Sequence, residues 1–171
     1  MGLENLIDET IQTWSEQRPD LNFASMELSL KLNSIVRAVS DEIAQQIDDL
    51  GINLGEFDVL ATLRRHGRGA KLKPKEISAA TFVTPSGLTN RLSRLEKMGL
   101  ISRQSDPADG RGALIKITAA GKRVADRGIE IVVATQDRYM NDLSTQMKKG
   151  LDQSMTRVIK TLDERLSSAE E

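Results

Sequence analysis

A short segment between residues 85 and 98 carries small polar and cationic side chains on one side of its predicted helix. At about 100° per residue, Leu88, Leu92 and Leu95 share one face. The opposite face and its edges carry hydroxyl, amide and basic groups: Ser86, Thr89, Asn90, Ser93, Arg94 and Lys97. Such groups bond phosphates and base edges, and an arginine can bond guanine through two donors. This face predicts contacts with nucleic acid, although an ordinary solvated face has a similar composition.

A second group with possible nucleic-acid chemistry lies in the segment 106–112, Asp-Pro-Ala-Asp-Gly-Arg-Gly. It is predicted to be the turn between two short strands, with Asp109 and Arg111 on either side of Gly110 at its tip. An arginine held out on such a wing can enter a minor groove, with the aspartate orienting its guanidinium. A lone Asp-Gly pair is usually only a turn, so this prediction depends on the helix beside it.

The spacing of apolar residues predicts the elements that must position these groups. Thr84 is the predicted N-cap of the helix at 85–98, with Pro85 as its first residue, and Thr118 is expected to cap a later helix. Helices are predicted from Leu3 to Trp14 with an end at 18–20, over 28–47, over 56–66 after a break at 51–56, over 74–80, from Thr118 to about residue 143, and from Met147 to Leu166; strands are predicted at 100–105 and 113–118.

This order of elements predicts a mainly α fold, a winged helix-turn-helix with a two-stranded wing. The helix at 74–80 would support the recognition helix at 85–98. Residues 51–121 would form the lobe, while 1–50 and 122–171 would supply flanking helices. Their apolar stripes would be costly in a monomer, so they are expected to form a dimerisation region. A closed helical monomer is the alternative.

The amino-acid composition lacks the residue types on which most enzymatic mechanisms depend. The 171 residues include no cysteine and one histidine, His66, so thiolate sites, histidine triads and multi-histidine metal sites lack their members. No cofactor or metal is expected. An enzyme using Asp58 and Arg65 would have no nucleophile and no Gly-rich phosphate loop. Without a signal peptide or an apolar span, no membrane contact is expected and a reducing cytoplasm is the predicted location.

Charge is distributed unevenly along the chain. Residues 64–127 contain fifteen Lys or Arg against five Asp or Glu, a balance of +10, whereas the whole chain has a formal net charge of −1. Some unevenness arises by chance on solvated surfaces. A basic block confined to one segment more often marks a surface that binds anions, and nucleic acid is the usual partner. Double-stranded DNA is therefore the predicted partner of this segment.

The stretch GLTNRLSRLEKMGLISRQSDPADGRGALIKITAAG (87–121) resembles the signature of the MarR family of transcriptional regulators. That signature combines a D-x-R wing, here Asp109-Gly110-Arg111, with a strand that ends in an L-T-x-x-G pattern, here 117–121. The resemblance implies a homodimeric repressor on a pseudo-palindromic operator, released by a small anionic or aromatic ligand. Many relatives carry another arginine where Gly110 stands, so minor-groove contact would be weaker or would rest on Arg111 alone.

Four residues fit the DNA-binding prediction poorly. Asp58 lies in the apolar stretch FDVLATL, Arg65 follows seven positions later, and Arg91 points away from the DNA face. With Trp14, the single tryptophan, they resemble the ligand site of the urate-responsive branch, which has an added N-terminal helix. A planar anion such as urate or another aromatic acid would stack on the indole, with arginine and aspartate bonding its edge. Structural roles remain open: Asp58 at a helix start, Trp14 in a core, Arg91 in a salt bridge. A winged-helix module without ligand sensing is the alternative.

Overall fold

The computed structural model describes residues 2–67, 69–81, 87–107 and 109–169, although not the side chains of 109–111 and 169. The elements follow in chain order: α1 (Leu3–Gln17), α2 (Ala24–Asp48), α3 (Leu54–Arg65), α4 (Pro74–Ala80), α5 (Leu88–Lys97), β1 (Ile101–Asp106), β2 (Asp109–Ile117), α6 (Ala119–Met140) and α7 (Thr145–Ala169). This order confirms a mainly helical winged helix-turn-helix. Two compact units, 1–132 and 133–171, divide the chain.

The core of the first unit lies where α3, α4, α5 and the strands meet. Its most deeply buried apolar side chains come from separate elements: Ile47, Ile52, Leu60, Leu63, Ile77, Leu92, Leu95 and Ile115. Helix α3 is buried on several sides, as its continuous apolar character predicts. The core thus fixes α5 through Leu92 and Leu95 and leaves its polar side outward.

The wing is an antiparallel pair in which Ile101 of β1 is opposite Ile117 of β2. An irregularity between Ser105 and Asp106 interrupts the register near the turn. A third segment joins the sheet, because Leu72 and Ile115 exchange two backbone hydrogen bonds of 3.0 and 2.8 Å. The segment before α4 is therefore partly strand-like, since its backbone pairs with β2 at the base of the wing.

Two predicted helix starts are wrong. The proposed break at 51–56 ends earlier, because Asn53 and Glu56 form a reciprocal capping box that starts α3 at Leu54. Helix α5 begins at Leu88, and the predicted helix does not run unbroken through Gly87, because Gly87 has φ +89°, outside the right-handed helical region. Thr84 and Pro85 lie outside the described residues. The predicted cap of α6 is confirmed, since Thr118 Oγ1 accepts a 3.0 Å bond from the Gly121 N–H.

The wing residues also differ from the predicted turn. Backbone pairing begins again at Asp109, so 109–111 form the start of β2 and not the tip of a loop. An Asp-Gly pair signals a turn from local preference alone, but cross-strand pairing places it within the strand here. Among the described residues, no helix has the length and apolar character that a membrane crossing requires.

Candidate nucleic-acid interface and ligand cavity

Helix α5 presents a polar side that is open to solvent. Thr89 and Asn90 are exposed, while Leu92 and Leu95 on the other side are 2% and 0% exposed. The helix is therefore held by one face and free on the other, which is the arrangement needed to enter a DNA groove. Ser86 was predicted to belong to this face, but it lies outside the described residues.

Arg94, predicted to contact DNA, is engaged within the chain. Its guanidinium lies 3.2 Å from a carboxylate oxygen of Glu56 and donates to the Gly51 carbonyl at 3.3 Å. Both partners flank the start of α3. The arginine side chain is still about half exposed. Arg94 thus ties α5 to the α2–α3 connection and is not a freely extended cation.

Ser93 is also held from within the chain. Arg103 on β1 donates to Ser93 Oγ at 3.1 Å, and its Nε lies 2.9 Å from a Glu96 carboxylate oxygen. These bonds join the last turns of α5 to the first strand of the wing. The recognition helix is consequently anchored on two sides, by Arg94 toward α3 and by Arg103 toward β1.

The base of the wing has its own ion pair. Lys73 Nζ lies 2.8 Å from Asp106 Oδ2, and the Asp106 side chain is only 6% exposed. Lys73 precedes α4, and its backbone N–H donates to Glu76 at 2.7 Å. The pair therefore fixes the end of β1 against the start of α4. Beyond it lie Asp109 and Arg111, whose backbone is in β2 and whose side chains are outside the description.

A cavity of about 440 Å³ opens beside the start of α3. Asp58 contributes the single carboxylate among the described residues that line it: Val36, Ser40, Ile43, Leu54, Phe57, Asp58 and Val132. Drug-sized ligands occupy cavities of comparable volume, mostly apolar with a few polar groups. An apolar chamber with one carboxylate suits a flat ligand that offers N–H or O–H donors.

Arg91 is not among the residues that line this cavity, but it lies against Gly55 in the first turn of α3. A Cβ on Gly55 would lie 2.6 Å from the Arg91 Nε, so the absence of a side chain at Gly55 makes room for the guanidinium. Gly55 and Asp58 are three residues apart on α3 and therefore share a face. Arg91 thus contacts the helical turn that precedes Asp58, and a ligand bound by both side chains stays a prediction.

Trp14 and Arg65 are not among the residues that line this cavity. Trp14 is 48% exposed on α1, and its ring stacks on Phe23 with centroids 6.4 Å apart. Arg65 donates to the backbone carbonyl of Ala80 and so joins the end of α3 to the end of α4. Within one chain, the four predicted ligand residues therefore fall into three places.

The polar residues that hold α5 do not follow from the sequence pattern of the predicted DNA face. Glu56 and Arg103 were not singled out, although both contact residues of the predicted DNA face. The pattern Asn53-x-x-Glu56 is a capping-box signal that was available. No local signal identifies Arg103, because its bonds to Ser93 and Glu96 require the strand to fold back on the helix.

The described residues hold no group of three or more His, Asp and Glu side chains arranged to bind a metal ion. The fold and its outward polar helix define a winged-helix DNA-binding protein. The family model described as "MarR family" matches residues 50–112 of this chain. The chain is 30% identical over 156 residues to the HTH-type transcriptional regulator PecS of Dickeya dadantii, covering 91% of this chain and 94% of the relative. The chain belongs to the MarR family, so it is a DNA-binding transcriptional regulator and not an enzyme.

Solved structures share the fold. A mutant MarR from E. coli complexed with operator DNA has a TM-score of 0.66 at 22% identity, over 85% of this chain and 96% of that one. The organohalide-sensing regulator RdhR in its 2,4-dichlorophenol-bound form has a TM-score of 0.69 at 18% identity, over 82% of each chain. At these identities the likeness concerns the fold alone.

Proposed function

We propose that this chain is a homodimeric repressor that binds a pseudo-palindromic operator and leaves it when a small planar anion binds. The main support for this proposal is the outward polar side of α5, which lies in the segment 64–127 with a charge balance of +10. Thr89 and Asn90 would contact base edges or phosphates. Ser86, Ser93 and Arg94 would belong to the same DNA-facing side of the helix. Asp109 and Arg111 would reach the adjacent minor groove from the wing. A dimer bound to the operator would prevent other proteins from binding the same DNA.

Dimer formation is supported by apolar side chains that the single chain leaves in water. They lie on the terminal helices: Leu3, Leu6, Leu28, Leu32, Ile35, Met147, Met155, Val158, Leu162 and Leu166, each at least 45% exposed. A helix face with several exposed apolar side chains is typical of an interface. A two-fold dimer would also place two copies of α5 about one DNA turn apart, which an operator with two half-sites requires.

The cavity lined by Asp58 supports a ligand response. Asp58 would accept N–H groups of a planar ligand, and Arg91 would pair with its anionic edge. An urate-like purine or another aromatic acid has both features. Arg91 belongs to α5, so a ligand that draws this guanidinium would displace the recognition helix and break its match to the half-site. The ligand can act only through its higher affinity for the DNA-free arrangement, and DNA must then weaken ligand binding equally. Trp14 and Arg65 remain predicted contacts.

The test begins with a duplex selected from a random-sequence pool, called the selected operator below. Fluorescence anisotropy should give tight binding by a dimer, with log affinity falling steeply with log salt because several phosphates are neutralised. Urate and a set of aromatic acids are then titrated into the complex. A chain that stays monomeric and ignores DNA at low salt would exclude the proposal.

Variants separate the DNA and ligand roles. Asp58→Asn and Arg91→Ala should keep the dimer and most of the operator affinity while losing release. Trp14→Ala and Arg65→Ala are measured individually, because Trp14 stacks on Phe23 and Arg65 bonds the Ala80 carbonyl. An operator complex that no planar anion releases would favour a winged-helix module without ligand sensing. Full release by urate from Asp58→Asn and from Arg91→Ala would place the sensor elsewhere.

A further inference from the structure

The first turn of α3 carries residues that line the cavity and residues that contact the recognition helix. Leu54, Phe57 and Asp58 line the cavity, as their spacing on one helical face allows. Between them, Glu56 extends in a different direction and meets Arg94 of α5. Gly55 contacts the same helix through Arg91. One helical turn therefore contacts both the cavity and α5.

Glu56 is an unusual residue for this place, because its side chain is charged and only 2% exposed. A buried carboxylate is costly unless it is paired and hydrogen-bonded. Its two oxygens have separate partners. Oε2 accepts the Asn53 N–H at 2.9 Å and completes the cap of α3, while Oε1 lies 3.2 Å from Arg94 Nη1. The same carboxylate thus starts one helix and holds another.

Arg94 has a matching pair of contacts. Besides Glu56, its guanidinium reaches the carbonyl of Gly51 in the turn before α3. A planar guanidinium bound at two points restricts rotation of the helix that carries it more than a single contact does. Arg94 lies four residues after Asn90, so the two share a side of α5. Fixing Arg94 therefore also fixes where Asn90 is presented.

We propose that Glu56 and Arg94 form a positioning pair that sets the orientation of α5 on the operator, and that Arg94 acts through Glu56 and does not itself read bases. The inference rests on the proposed role of α5 in binding DNA. It does not depend on any ligand. The two roles of Arg94 differ in a measurable way, because a base-reading arginine is hindered by the buried carboxylate whereas a positioning arginine needs it.

The experiment measures Kd for the selected operator and for a scrambled duplex, in the absence of ligand. Glu56→Gln keeps an oxygen for the Asn53 N–H but loses the charge that holds Arg94. We expect Glu56→Gln and Arg94→Gln each to weaken operator binding about ten-fold, and the double variant to be within about two-fold of either, since both remove one interaction. The ratio of operator to scrambled affinity should fall in all three.

Glu130→Gln is the matched control, because Glu130 is paired with Arg127 on an exposed surface at 2.9 Å. It should leave both affinities unchanged. Thermal unfolding of every variant is recorded, and Kd is corrected for the folded fraction. A purely structural role would lower the melting temperature and leave the corrected ratio unchanged, which would overturn the inference. If Glu56→Gln does not fold, Arg94→Lys tests the inference instead. A single ammonium cannot hold Glu56 and Gly51 together, so Arg94→Lys should lower the ratio of operator to scrambled affinity.

The opposite sign also overturns the inference. If Glu56→Gln keeps or strengthens operator binding while Arg94→Gln weakens it, Arg94 reads DNA directly. If the wild-type chain selects no operator, the proposed function fails first, and that result is distinct from either outcome for the variants.

Discussion

The winged lobe buries most of its large apolar side chains, whereas the terminal helices leave many of theirs exposed. In the lobe, Leu60, Leu95 and Ile115 are each 0% exposed. On the terminal helices, Leu28 is 64% exposed and Leu166 is 66% exposed, although their spacing is as regular as that of the lobe residues. Regular apolar spacing therefore marks a face that must be covered. It does not say whether the cover comes from the same chain.

The same two regions differ in how their polar groups are used. Ion pairs in the lobe join separate elements, as Arg94 joins Glu56 and as Lys73 joins Asp106. On the terminal helices, pairs such as Lys31 with Glu27 lie one turn apart on a single helix. Local pairs of this kind contribute little to packing. The lobe is thus held by ion pairs between its own elements, whereas these pairs on the terminal helices stay within one helix.

The largest expected effect is a matched leucine truncation in the two regions. Leu95→Ala should lower the free energy of unfolding by about 2–5 kcal/mol, because it leaves a cavity in a packed core. Leu166→Ala should cost much less, and its cost should increase with protein concentration if a partner chain covers the helix. Urea denaturation at two protein concentrations measures both. Equal, concentration-independent losses would mean that α7 is packed within its own chain.

A charged residue on the exposed apolar face of α7 tests directly whether a partner chain covers that face. Leu162→Glu should raise the dimer dissociation constant about 100-fold, because a carboxylate would be buried without a partner. Sedimentation velocity measures the change, and circular dichroism checks that the helix remains. Lys160→Glu, on the polar side of the same helix, is the control and should leave the dimer intact. Equal weakening by both substitutions would indicate an electrostatic interface without an apolar centre.

Much of the fold could be predicted because its signals are local. Apolar residues three and four positions apart gave α1, α2, α6 and α7 within a few residues, and Thr118 was identified as a cap from its place before a helix. The solvent-facing side of α5 also followed from its periodicity. Local signals failed where a distant partner decides, as when Ile115 pairs with Leu72 or when β2 begins at Asp109.

The candidate sites could be predicted only in part, for the same reason. Residue type suggested that Arg94 would face DNA, but its bond to Glu56 links residues that are 38 positions apart. Of the four predicted ligand residues, Asp58 is among those that line the cavity, whereas Trp14, Arg65 and Arg91 are not. Helical position gives the direction of a side chain, but a cavity also depends on how helices cross.

The exposed side of α5 offers a smaller test of the lobe. Asn90→Ala should reduce discrimination between selected and scrambled duplexes by about 1–3 kcal/mol, the usual loss for one base contact. Asn141→Ala applies the same change to an exposed residue after α6 and should have no effect on either affinity. Competition binding at one salt concentration measures the difference. A uniform loss on both duplexes would make Asn90 a phosphate contact.

The smallest expected effect concerns the turn between α1 and α2. Arg18 and Asp20 share two hydrogen bonds of 2.8 and 2.7 Å, and the arginine holds the pKa of Asp20 below its usual 3.8. A carboxyl whose pKa is lowered on folding stabilises the folded state at pH values above its unfolded-state pKa. This contribution is lost as the pH falls through its folded-state pKa. Both groups are exposed, so Asp20→Asn should lower the melting temperature at pH 7 by no more than about 2 °C. The difference from wild type should shrink below pH 3.8. Thermal melts between pH 7 and 3 measure it, with Asp152→Asn on α7 as the control. A loss of many degrees at pH 7 would show that the N-terminal helices are held by their own polar contacts, against the contrast between the two regions.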